Sequence, residues 1–125
     1  MELKFIDHIV LIVKDLLETE KFYSSFVGKP IHKDNESIAY EIGSTKIFFT
    51  LPDGEFENTN KDNGGFNHIA FGVRNLEELK SFESILKENQ ILNSGIKNDT
   101  YGNNDFIWFD DPNGYRIEIY CRLLK

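Results

Sequence analysis

Apolar residues, chiefly Val, Ile and Phe, crowd residues 4–13 and again 66–73 between polar stretches, the composition of strands. Both runs pass into Asp15 or Asn75, each followed three residues on by a glutamate, Glu18 or Glu78, as in a capping box. A helix is predicted after each. In the second, Leu76, Leu79, Phe82 and Leu86 recur at spacings of three and four, an apolar stripe that must pack on something. Three more strands follow each helix, over 29–33, 36–42 and 45–51 and then over 94–98, 105–110 and 115–122. The order βαβββ is therefore written twice.

The two copies also match residue by residue. At an offset of 60, Asp7–Leu16 lies over Asn67–Leu76, pairing His8 with His68, Ile9 with Ile69 and Val13 with Val73, and the register holds through Phe22 and Phe82. The reading is an α+β chain of two tandem βαβββ modules, 1–52 and 66–125, joined by a polar, glycine-bearing connection over 53–65. So long a connection is expected to be either a functional flap or a crossover that lets modules pair between chains.

Strand alternation sorts side chains onto two faces. Ile9, Leu11 and Val13, like Ile69, Phe71 and Val73, suit helix packing; the opposite face carries His8 and Val10 in one copy and His68 and Ala70 in the other. At an offset of 70, Lys46–Thr50 lies over Arg116–Tyr120, so Phe48 matches Glu118, which shares its face with Arg116 and Tyr120. A lone strand histidine is more often a hydrogen-bonded core or edge residue than a ligand. Two histidines in register and a carboxylate at the equivalent place on the last strand change that balance. They form a donor set with coordination positions left free, as in non-haem iron oxygenases and some zinc hydrolases.

Composition narrows the classes. With 125 residues, 40% hydrophobic, the chain should fold as one compact unit or two mutually dependent modules. A net charge of -7 repels phosphate backbones and anionic lipid, so nucleic acid is not an expected partner. No apolar run approaches the roughly 20 residues of a membrane span. The one cysteine, Cys121, and a start without a secretory signal pattern point to the cytoplasm.

At these residues the sequence resembles the vicinal oxygen chelate superfamily, which includes glyoxalase I, extradiol dioxygenases, fosfomycin-modifying thiol transferases and bleomycin-resistance proteins. The likeness is carried by Asp7–Leu16 with Phe22 and Tyr23, by Asn67–Val73, and by Phe109–Glu118, where Asp111-Pro112-Asn113-Gly114 supplies a tight turn. It implies two modules wrapping a curved mixed-sheet cup around a divalent metal (iron, manganese, zinc or nickel) held by His8, His68 and Glu118. Phe48 stands where glyoxalase I takes its fourth ligand, so glyoxalase I activity is not expected. Val10, Phe106 and Trp108 replace the threonine, serine and tyrosine of the fosfomycin enzymes, so fosfomycin is not the expected substrate. The Asp-Pro-x-Gly-x-x-x-Glu spacing is also that of extradiol dioxygenases, with Trp108 where tyrosine is usual.

The expected pocket lining is Phe48, Val10, Ala70, Phe106, Trp108 and Tyr120, an apolar surface suited to a small molecule with two adjacent oxygens. The leading expectation is a metal-dependent enzyme acting on that molecule. The rival is a metal-free sequestering protein of the bleomycin-resistance type, and a homodimer is expected in either case. Tyr101 and His32 read as surface residues, and Cys121 as inert on the apolar side.

Overall fold

The computed structural model describes residues 1–58 and 60–123. The chain divides into two compact units, Met1–Glu57 and Asn58–Lys125, and each contains a four-stranded mixed sheet with one helix. Unit 1 runs β1 (His8–Ile12), α1 (Leu16–Ser24), β2 (His32–Lys33), β3 (Ser37–Ile42) and β4 (Thr45–Thr50), in the sheet order β1-β4-β3-β2. Unit 2 repeats it with β5 (His68–Val73), α2 (Leu76–Glu88), β6 (Lys97–Asp99), β7 (Asn104–Asp110) and β8 (Arg116–Cys121), in the order β5-β8-β7-β6. In both units the first strand pairs in parallel with the last and the remaining pairs are antiparallel.

The helix starts follow from their caps. The Asp15 carboxylate accepts the Glu18 N–H at 2.8 Å, and the Asn75 side chain accepts the Glu78 N–H at the same distance. Glu78 reaches back to the Arg74 N–H at 3.2 Å, the return half of a capping box displaced by one residue. Beneath α1, Tyr23 packs 4.2 Å from the Phe49 ring, and beneath α2 Leu79 and Leu86 are fully buried. The stripe of α2 is shorter than its spacing predicts. Leu76, the first helical residue, is 39% exposed at the entry turn, and Phe82 is only half-buried.

Several strands begin later than expected, β1 and β6 for identifiable local reasons. β4 starts only at Thr45, so the ladder of β1 ends with the Lys46 N–H on the Asp7 carbonyl and residues 4–6 have no strand opposite. Before β6, Ser94 donates its N–H to the Trp108 carbonyl at 2.9 Å but answers the Trp108 N–H with its hydroxyl, at 3.0 Å. That side chain replaces a backbone acceptor, Gly95 then turns at φ +71°, and regular pairing resumes at Lys97.

The turn before β8 fits its sequence. Gly114 N–H donates to the Asp111 carbonyl at 3.1 Å with Gly114 at φ +88°, and the buried Asp111 carboxylate accepts from the N–H groups of Asn113 and Tyr115 at 2.8 and 2.9 Å. Cys121 is buried as expected, while Tyr101 and His32 are exposed.

Candidate metal centre

Strand pairing puts the two modules in the same register. His8 lies beside Lys46 and Val10 beside Phe48; His68 lies beside Arg116 and Ala70 beside Glu118. Phe48 is thus the structural counterpart of Glu118. On every one of these strands the odd-numbered residues are the covered ones, leaving His8, Val10, His68 and Ala70 exposed and Phe48, Phe106, Trp108, Glu118 and Tyr120 half-buried on the other face. Trp108 flanks Glu118 on β7, and Phe106 pairs with Tyr120, their rings stacked at 4.8 Å.

Unit 2 brings two of the three expected ligands together. His68 Nε2 lies 3.7 Å from Glu118 Oε1, beyond hydrogen-bond range, and the Glu118 side chain is only 14% exposed. Among the described residues no hydrogen-bond donor reaches that carboxylate. A largely covered carboxylate without a donor is costly. Two ligands of a tetrahedral ion, each about 2.0–2.2 Å from it, stand roughly 3.4 Å apart, so the separation suits a cation better than a direct contact. Among the described residues no group of three or more His, Cys, Asp or Glu side chains is already gathered for a metal; His8 holds the matching position in unit 1.

Each histidine is oriented by the residue before it. His8 Nδ1 donates to the Asp7 carboxylate at 2.8 Å, and His68 Nδ1 donates to Asn67 Oδ1 at 2.6 Å. The Asn67 amide is turned that way because its nitrogen donates to the Lys61 carbonyl. With the proton on Nδ1, both rings offer an Nε2 lone pair, the arrangement in which outer partners prepare ligand histidines. Asp7 and Asn67 thus orient the two candidate histidines; the strand pattern does not single out this orienting pair, although their chemical likeness at matched positions was a signal.

The remaining charges are arranged around this pair. The Arg116 guanidinium stacks 3.9 Å above the Trp108 ring and donates from Nε to Asp110 at 2.6 Å, which occupies it on the histidine row. Burial, then the Asp99 and Glu118 charges, push the Tyr120 phenol above its ordinary 10.0, so it stays protonated. In unit 1 the Phe48 ring stands edge-on to His8 at 5.9 Å, apolar surface where unit 2 has a carboxylate.

The chain is similar to several known proteins. FosB of Staphylococcus epidermidis, a metallothiol transferase, is 30% identical over alignments covering 100% of this chain and 87% of that protein. Of solved structures, a glyoxalase family protein from Enterococcus faecalis superposes with a TM-score of 0.77 at 20% identity, covering 94% of this chain and 97% of its own. The fosfomycin resistance protein FosX of Listeria monocytogenes gives a TM-score of 0.78 at 22% identity, with 98% and 97% covered. These two likenesses establish the α+β fold. A model of the Glyoxalase/Bleomycin resistance protein/Dioxygenase superfamily matches residues 5–119, from before the first histidine to just past Glu118, and the chain belongs to that superfamily.

Proposed function

We propose that the protein is a divalent-metal-dependent enzyme that binds a small substrate through two adjacent oxygens. The observation that carries this reading is the covered Glu118 carboxylate, without a donor among the described residues and 3.7 Å from the prepared Nε2 of His68. His8, with its own Nδ1 held by Asp7, is the third ligand in the proposal. When bound, a divalent ion there supplies Lewis acidity toward a developing oxyanion. Asp7 and Asn67 keep the imidazole protons on Nδ1, and Glu118 contributes the negative charge. Trp108, Phe106 and Tyr120 present ring faces to the apolar body of the substrate, Val10 and Ala70 leave the histidine strands without competing polar groups, and Phe48 does the same on β4 beside Val10.

FosB's name describes thiol transfer, but Val10, Phe106 and Trp108 take away polar groups expected of fosfomycin chemistry, so the proposal stops at chelation and Lewis-acid catalysis. The test is metal content of untagged protein, with titration of His8→Ala, His68→Ala and Glu118→Gln. One ion per chain is expected, with each substitution weakening binding about tenfold or more. Stoichiometric binding unaffected by all three would overturn the assignment and favour a metal-free binding protein.

A further inference from the structure

The ligand face of unit 2 continues past Glu118 into a pocket of about 370 Å³ lined by Ala70, Gly72, Arg74, Tyr120 and Arg122, with Phe71 and Val73 behind. Gly72 pairs with Tyr120, and its missing side chain leaves open space beside the phenol ring. The ladder extends one step beyond β5. Arg122 donates its N–H to the Val73 carbonyl at 2.9 Å, which draws Arg122 level with Arg74 on the neighbouring strand. Both residues are exposed, and the Arg122 guanidinium lies 6.0 Å from the Tyr120 ring centre.

Like charges side by side on adjacent strands repel. Arg116, the chain's other arginine, is neutralised by Asp110, yet among the described residues neither the Arg74 nor the Arg122 guanidinium is paired with a carboxylate, since Glu78 meets only the backbone N–H of Arg74. Among the described residues none of those lining the pocket is acidic, and the Asp99 carboxylate meets the Tyr120 phenol beside it. In a protein of net charge -7, two unpaired guanidiniums beside a cavity are an uncommon local excess of positive charge. The fork geometry of arginine matches a carboxylate.

We infer that this pocket is an anion subsite that takes a terminal carboxylate of the substrate, which is therefore a small acid bearing the chelating oxygens at its other end. The inference rests on the reading of His68 and Glu118 as the chelating end. The Glu118 and Arg122 rows lie four residues, about 13 Å, apart along the strand, but the Arg122 guanidinium reaches back to 6.0 Å from the Tyr120 ring centre, so a tail of several bonds spans what remains.

Calorimetry on zinc-loaded protein with two probes of equal carbon chain length tests this: succinic acid monohydroxamate and butyrohydroxamate, which differ in a terminal carboxylate against a methyl. The carboxylate probe should bind about tenfold more tightly, and the difference should shrink at about 1 M salt. Arg74→Gln combined with Arg122→Gln should bring the two affinities together, with an unchanged thermal melt showing that the fold is intact. A preference that survives the double substitution, or no carboxylate preference in either the zinc-loaded or the metal-free protein, overturns the subsite. A preference on metal-free protein with no gain from zinc upholds the subsite and rejects the chelation site, so the two readings fail separately.

Discussion

Two buried or half-buried side chains in unit 1 do the opposite of what their surroundings favour. Thr19 is 1% exposed beneath α1, and its hydroxyl has no hydrogen-bond partner. A buried hydroxyl without a partner loses its hydration and gains nothing in return. Thr19→Val keeps the shape and removes the polar atom, so it should raise stability by about 1 kcal/mol in denaturant unfolding; a loss would show that the hydroxyl is satisfied in solution. Phe48 places an apolar ring edge-on to His8, at the position that holds Glu118 in the other module. If His8 is a ligand as proposed, Phe48→Glu supplies a further anionic donor and should tighten metal binding by roughly tenfold. Unchanged affinity would place the ion away from unit 1.

Short elements owe their shape to side chains acting on the backbone. The turn from β2 into β3 is organised by Asp34, whose carboxylate accepts the Glu36 and Ser37 N–H groups at 2.8 and 2.9 Å and meets His32 Nε2 at 2.8 Å. The Glu36 N–H first, then His32 and Ser37, hold its carboxyl down at about 2 from an ordinary 3.8. The folded value lies below the unfolded one, so this contribution is complete above the ordinary value and is lost as pH falls through about 2. A carbonyl-detected NMR titration should find the Asp34 midpoint near the lower value; a midpoint near the ordinary one would mean the turn is open. Asp111 acts in the same way before β8, and this Asx geometry was visible in advance in Asp111-Pro112-Asn113-Gly114. The Ser94 hydroxyl that interrupts β6 was not, because it depends on which strand arrives opposite.

Each sheet keeps its histidine strand at an edge, β1 in one unit and β5 in the other. The exposed face of β1 and the residues just before it carry Ile6, Val10 and Ile12, 62%, 52% and 39% accessible, around His8. An apolar face next to an edge strand is a surface that associates. We therefore expect a homodimer, with light scattering giving about twice the chain mass of 14.5 kDa at micromolar concentration; a monomer mass would refute it. Among the described residues no helix is long and apolar enough to cross a membrane.

Duplication, the βαβββ order, the cap residues and the face on which His8, His68 and Glu118 lie are all legible in the sequence, because each depends on spacings within one strand or helix. The match of Phe48 to Glu118 was legible too, since an alignment of the two copies carries strand register with it. Tertiary structure decided which groups meet across strands. It turned both Nδ1 atoms onto Asp7 and Asn67, withheld from Glu118 every donor among the described residues, left Leu76 at the edge of the α2 stripe, and set Arg74 level with Arg122. The physical reason is that periodicity reports burial along one element, whereas rotamers and ladder pairing are set by neighbours distant in the chain.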